Sequence, residues 1–391
     1  MRVPVGKIQA ALVEEGLDGW LLFDFHGLNA IARDVTGVRG MVTRRWCLFV
    51  PKAGACHIIY HRIESQPFEG FDAVHHPYLG WRELDSVLKT ALGGARRIAM
   101  EYSPDNGIPY VALTDAGTIE KIRGWGLEIV TSADLIASFL AVWTPEQIAG
   151  HRRAARALNE IKDLAFSMIG EAVRQKRSLR EHDVVAFVLA EFERRSMTTD
   201  EGPICAVDAN AGKPHYEPSP TSSAPIGPNQ LVLLDLWAKE KTPDSVYADI
   251  TWTGYTGSAV PGKIEEVFNV VTSARDRAVS FLHDRFRSKK PVRGGEVDDA
   301  VREVIRNAGY GEYFIHRTGH SIGTNVHGVG PNIDNLETQD HRRLREGVCF
   351  SVEPGVYLPE FGIRSEIDVL ITNGQAEVTT LPIQTELVTL T

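Results

Sequence analysis

Two pairs of acid-bearing strands and a glycine-rich run of histidines carry the side chains best suited to chemistry in this sequence. The run Leu231–Trp237 (LVLLDLW) is apolar except for Asp235. Burying a lone carboxylate there costs on the order of a few kcal/mol or forces it neutral. The next strand-like run, Val246–Thr253, carries Asp249, and Lys241-Thr242-Pro243-Asp244 between them reads as a turn. Folding about Thr242 would set Asp235 directly opposite Asp249 on one face. The pattern recurs in Val348–Tyr357 with Glu353 and Gly362–Ile371 with Glu366, which fold about Leu358–Phe361. Arg364 and Asp368 share that face by the two-residue period of a strand. One such pair could be solvated or bonded to a nearby Arg or Lys. Two matched pairs ask for a cation, because carboxylates that close repel each other.

Between the two hairpins lies His316-Arg-Thr-Gly-His320-Ser-Ile-Gly-Thr-Asn-Val-His327-Gly. Its glycines break a helix and let backbone approach closely. Imidazoles spaced this way can ligate a metal or transfer a proton at neutral pH. Four carboxylates and one imidazole form an oxygen-rich, hard ligand set that two divalent cations would balance. Manganese, cobalt or iron suit it better than a thiolate-type zinc site does, although zinc stays an option. Two such ions about 3.5–4 Å apart activate water and polarise the carbonyl it attacks.

In order and local context, Asp235, Asp249, His320, Glu353 and Glu366 resemble the five metal ligands of the pita-bread metallopeptidases, the family of methionine aminopeptidase, aminopeptidase P and prolidase. The words that carry the resemblance are DITWT at Asp249, GHSIG at His320, SVEPGVY at Glu353 and GIRSEID at Glu366. It is strong over residues 144–391 and weaker before them, where LVEEGLDGWLLFD and DVTG are similar to a creatinase/prolidase-type domain. The resemblance implies hydrolysis of the bond before proline in short peptides, with Glu353 as general base and proton donor. It further implies that His327 stabilises the tetrahedral intermediate and that His215 lies on the substrate side. His316 matches a histidine of the proline-directed branch, with support of the metal shell as its other reading. Arg364 matches a basic position expected to orient Glu366 or Asp249 and counts with Arg342 and Arg343 as a substrate-binding candidate; Arg342 and Arg343 offer cations for a substrate carboxylate, with a solvated surface run as their other reading. Departures are Trp237, where the family has D-x-G, Trp252 in place of the DITRT arginine, and a lengthened turn before Asp249.

These side chains need a scaffold, and its elements are legible along the chain. Helical and strand-like runs alternate up to about residue 140: helices at Lys7–Glu15 and Trp81–Ala91, strands at Trp20–Phe23, Arg45–Val50, Cys56–Tyr60, Arg97–Glu101 and Leu127–Val130. Thr144-Pro145-Glu146 is a helix start, with Thr144 as N-cap and Pro145 at the first helical position. Helices are expected from there to about Ile169, over Leu179–Arg195, at Gly262–Arg287 and at Gly295–Ala308. The expectation is an α/β N-terminal domain over residues 1–143 and an α+β pita-bread catalytic domain, an antiparallel sheet covered by helices, over 144–391.

The 391 residues carry 42 basic and 51 acidic side chains, a net charge of −9 that argues against nucleic acid or an anionic membrane as partner. No apolar stretch is long enough to span a bilayer, and the N-terminus has no apolar signal core. Cys47, Cys56, Cys205 and Cys349 lie scattered in apolar runs, which fits a reducing cytoplasm. The resemblance adds a homodimer. A prolidase-like dipeptidase is expected; aminopeptidase P-like action on longer peptides, hydrolysis of a small non-peptide amide, and a non-catalytic binding role are the alternatives.

Overall fold

A computed structural model describes residues 3–390, so the first two positions and the last position of the two expected domains lie outside the described residues. The chain divides into two compact units, Met1–Leu140 and Ala141–Thr391.

The first unit is α/β. Its six-stranded sheet runs, in spatial order, Val74–Tyr78, His57–His61, Trp46–Pro51, Gly19–Asp24, Arg97–Met100 and Glu128–Thr131. Helices Val5–Glu14, Ala30–Thr36, Trp81–Ala91, Ala116–Gly124 and Ala133–Leu140 accompany it. The inner strands are mostly apolar, and all six residues of Gly19–Asp24 are buried, as expected of a sheet covered on both faces. The buried acids are paired. Glu101 accepts from Trp20 Nε1 (2.7 Å), Asn29 Nδ2 (2.8 Å) and Ser132 Oγ (3.1 Å), and Asp24 accepts from Trp46 Nε1 (3.0 Å).

The second unit has the pita-bread architecture. Thr144 caps the helix Pro145–Arg174 through a capping box: Thr144 Oγ1 accepts from Gln147 N, and Gln147 Oε1 accepts from Thr144 N. That helix and Glu181–Arg194 cover the sheet built on Leu231–Glu240 and Ala248–Tyr255. Helices Gly262–Arg287 and Gly294–Asn307 pack in a second core with the strands Cys349–Val352 and Ile367–Thr372. A smaller cluster that includes Trp143, Leu233, Trp237, Tyr247, Cys349 and Leu370 joins the two sheets. Leucine, isoleucine and valine at strand spacing thus bury each sheet against a helix pair, and the acids sit where the two sheets meet. All four cysteines are buried and free, and no helix among the described residues is long and apolar enough to cross a membrane.

The second acid hairpin has the expected register. Gly355 pairs with Arg364 on one side of Glu353–Glu366 and Val352 pairs with Ile367 on the other, so the two glutamates face each other. The tight return at Leu358–Phe361, where Leu358 N donates to Phe361 O at 2.9 Å, fixes that register. In the first hairpin the expected pairing is corrected by two residues: Asp235 lies opposite Thr251, and Asp249 opposite Trp237. The return loop is wider than a turn centred on Thr242. Ser245 Oγ donates to the carbonyls of Glu240 and Thr242, and Asp244 takes a left-handed conformation. The two aspartates remain on one face as diagonal neighbours.

Candidate metal and active site

Asp235, Asp249, His320, Glu353 and Glu366 converge on one cavity of about 460 Å³, which His215, His316, His327 and Arg364 also line. The ligand atoms of Asp249, His320 and Glu366 lie within 4.8 Å of one another. His320 Nε2 is 3.7 Å from Asp249 Oδ2 and 3.4 Å from Glu353 Oε1. Gly319 permits this arrangement, since a Cβ there would come within 1.9 Å of the Ser351 carbonyl oxygen. Ser351 N donates to His320 O (2.9 Å) and Glu353 N to Thr318 O (2.8 Å), locking the histidine run onto the strand that carries Glu353.

The supporting hydrogen bonds form a chain. Thr251 Oγ1 donates to Glu366 Oε2 (2.7 Å) and accepts from Arg364 Nε (3.0 Å). Arg364 Nη2 bonds Asp235 Oδ2, and Nη1 donates to Tyr357 OH (3.1 Å), which also bonds His316 Nε2 (2.7 Å). Arg364 therefore grips Asp235 rather than Glu366 or Asp249 as expected, and its nitrogens are already engaged by protein groups. His316 belongs to the same chain, with Nδ1 set 2.7 Å from Arg317 O. Asp249 N donates to Asp368 Oδ2 (2.9 Å), so the acid sharing Glu366's face holds a second acid's backbone.

Electrostatics show what this cluster lacks. Burial first, then the charges of Glu366 and Asp235, raises the Asp249 carboxyl well above the usual carboxylate range. Burial, then Glu353 and Asp235, does the same to Glu366. Burial pushes Glu353 up to about 7. Among the histidines, burial drives His316 down to about 3 and His327 to about 4, and holds His320 well below its ordinary value. Neutral imidazoles beside crowded, buried carboxylates are the electrostatic image of a cation site. Two buried oxygens, Asp235 Oδ1 and Asp249 Oδ1, have no hydrogen-bond partner, although buried polar atoms are almost always satisfied. The donor set fits hard divalent cations.

Arg342 and Arg343 do not line the cavity, which corrects their expected place at the substrate. Arg342 is buried, donates from Nε to Asp340 Oδ1 (2.9 Å) and from Nη1 to Val329 O (2.6 Å), and so pins its own loop. Arg343 is exposed and forms a β-bridge with Arg293. Sequence reading missed Thr251, Tyr357 and Arg317. Thr251 was readable as the residue two after Asp249 on the same strand face, and Tyr357 as ending the strand that begins just after Glu353.

The sequence model of metallopeptidase family M24 matches residues 149–373, more than half of the chain. The chain belongs to metallopeptidase family M24. This M24 chain is 32% identical over 243 residues, 60% of its length, to an Xaa-Pro dipeptidase of Lactobacillus delbrueckii subsp. lactis, and that match spans 58% of the relative. A solved dipeptidase structure from Pyrococcus horikoshii OT3 is similar over 99% of both chains, with a TM-score of 0.64 and 25% identity. An X-Pro aminopeptidase structure from Thermotoga maritima MSB8 shares the fold, with a TM-score of 0.61 and 24% identity over 98% of this chain and 99% of that one.

Proposed function

We propose that this protein hydrolyses the Xaa-Pro bond of short peptides, chiefly dipeptides, with two divalent cations held by Asp235, Asp249, His320, Glu353 and Glu366. The observation that carries the reading is the cluster itself: three buried carboxylates, the partly buried Glu353 and a neutral imidazole on one cavity, with two of the carboxylate oxygens lacking a partner. The similarity to an Xaa-Pro dipeptidase supports the choice of bond. Bound there, divalent cations would supply Lewis acidity that activates water and polarises the scissile carbonyl.

The protein's own groups do the rest. Glu353 takes the proton from the attacking water on a carboxylate oxygen and hands it to the prolyl nitrogen. Ser351 Oγ donates to Glu353 Oε1 at 3.1 Å and fixes its rotamer. His327, its ring 4.4 Å from that of His320, is kept neutral by burial and offers an N–H to the carbonyl oxygen as charge develops there. His316 and Tyr357 act through Arg364 to hold Asp235, a supporting role in place of direct catalysis. His215, on the exposed side of the cavity, meets the substrate.

The hard oxygen ligands favour manganese among the candidate metals, with cobalt, iron and zinc as alternatives. The four buried thiols suit a reducing cytoplasm. A homodimer is part of the proposal, supported by exposed apolar residues of the first unit such as Leu28, Met41 and Ile63. Release of proline from Leu-Pro is the assay. Chelation should abolish it and manganese should restore it, whereas full activity in exhaustively demetallated protein would overturn the proposal.

A further inference from the structure

Pro214, His215 and Glu217 reach the cavity from a loop, residues 208–224, that holds one short helical turn at Asp208–Asn210 and no strand. Such a segment owes its shape to side-chain contacts rather than to a backbone ladder. A single side chain from outside the cavity wall makes those contacts at three places. Glu181, the first residue of the helix Glu181–Arg194, is wholly buried. Where the loop starts, its Oε1 accepts from Val207 N (2.8 Å) and from Asn210 Nδ2 (3.1 Å). In the middle, its Oε2 accepts from the hydroxyl of Tyr216, the neighbour of His215, at 2.6 Å. Where the loop ends, Oε2 accepts from Ala224 N (2.6 Å) and Glu181 N donates to Ala224 O (3.1 Å). The loop also presses on the return of the second acid hairpin: a Cβ on Gly362 would come within 1.9 Å of Ala211 O, and one on Gly212 within 2.5 Å of Leu358 O.

We propose that Glu181 is a positioning residue: it holds the loop 208–224 in one shape and so keeps His215 where it meets the substrate. The proposal rests on the reading in which His215 is the substrate-side histidine. His215 is itself exposed, so the place of its imidazole depends on how firmly its backbone is held. A carboxylate suits the four converging donors because it offers two acceptor oxygens and no donor. A glutamine of the same size would turn its amide NH2 either toward Val207 N–H and Asn210 Nδ2 or toward Ala224 N–H. Either choice sets donor against donor in a buried network, which is costly to leave half satisfied. Glu181 is absent from the cavity wall, so it acts through the loop and not on the peptide. A loop already fixed in its binding shape has less freedom to lose when substrate enters, and the effect falls on binding.

The test compares wild type, E181Q, Y216F, H215A and the double variant E181Q/H215A, with melting curves confirming that each folds. Amide hydrogen exchange over residues 208–224 should quicken by about 10-fold or more in E181Q and by less in Y216F, which removes one of the four donors. Calorimetric titration with manganese should give the wild-type affinity within about twofold in both, because the proposed ligands lie on other segments. On Leu-Pro, E181Q should raise KM by about 5–50-fold with kcat within about threefold, and Y216F should raise it by less. In the H215A background E181Q should add little, because both changes remove one contact. Unchanged exchange in E181Q and Y216F overturns the proposal. So does a KM increase in the double variant that equals the product of the two single ones, which would show that Glu181 does not act through His215. Loss of manganese binding in E181Q with the loop's exchange unaltered overturns it as well. Should E181Q fail to fold, Y216F and Y216F/H215A are judged by the same outcomes. Failure of wild type to cleave Leu-Pro is a separate result that counts against the hydrolysis reading, and the exchange measurement then still decides whether Glu181 holds the loop.

Discussion

Replacing Asp249 with Asn should stabilise the metal-free protein and destabilise the metal-loaded one, a reversal of sign that an ordinary buried aspartate would not give. Asp249 Oδ1 is buried without a partner, and the residue's ligand atom lies within 4.8 Å of that of Glu366. At that distance and an effective dielectric of about 20, two full carboxylate charges repel by about 3.5 kcal/mol. Protonation relieves part of this, because burial and the neighbouring acids favour the neutral form. A gain of about 1–3 kcal/mol is therefore expected from Asn without metal, or roughly 2–10 °C in Tm for a unit of this size. With metal present at a hundred times its Kd, each bound ion adds about 2.7 kcal/mol. Losing one ion should shrink the metal-induced rise by about 5–10 °C. Scanning calorimetry of both proteins, with and without manganese, reads all four values. A lower metal-free Tm for Asp249→Asn together with an unchanged metal-induced rise would refute the reasoning.

Glu353→Gln keeps the size of the side chain and removes its proton-accepting oxygen, so kcat for Leu-Pro should fall by at least about 10²–10⁴-fold; near-native turnover would show that Glu353 is not the base. In the first unit, burial pushes Glu101 up to about 7. The folded state then binds more protons than the unfolded state between about pH 4.5 and 7, so stability should fall by about 3 kcal/mol as pH rises through that window. Urea unfolding across pH 5–8 should show this slope in wild type and a flatter one in Glu101→Gln; equal slopes would contradict the assignment.

Where local chemistry alone decided a feature, the sequence was a sufficient guide. The cap at Thr144 needs only Pro145 and Gln147, and the helix begins where they place it. It runs on to Arg174, past the expected Ile169, because its buried face continues through Gly170 and Ala172. The Glu353–Glu366 pairing was legible because four residues can close that return in few ways. The Asp235–Asp249 register was not, because the loop's geometry depends on Ser245 bonding back to two carbonyls. The strand Val74–Tyr78 (VHHPY) carries no alternating apolar pattern and owes its place to parallel pairing with His57–His61. The arginines failed for a related reason. Arg342 looks like a solvated surface charge until Asp340 and Val329 enclose it, and Arg317 is hidden in sequence among more conspicuous histidines. The four acids of the proposed ligand set could be read from the apolar strands they interrupt, and His320 from its glycine-rich run, but which arginine faces the cavity is a tertiary fact.

The bond that is cut is the most direct test of proline-directed hydrolysis. Manganese-loaded protein should be given Leu-Pro, Leu-Pro-Gly and Leu-Leu at equal concentration, with free leucine measured over time. Leu-Pro should be cleaved fastest, Leu-Pro-Gly more slowly, and Leu-Leu at the rate of the metal-free control. Cleavage of Leu-Leu with Leu-Pro left intact would contradict proline-directed hydrolysis, and cleavage of Leu-Pro-Gly as fast as Leu-Pro would contradict the dipeptidase assignment.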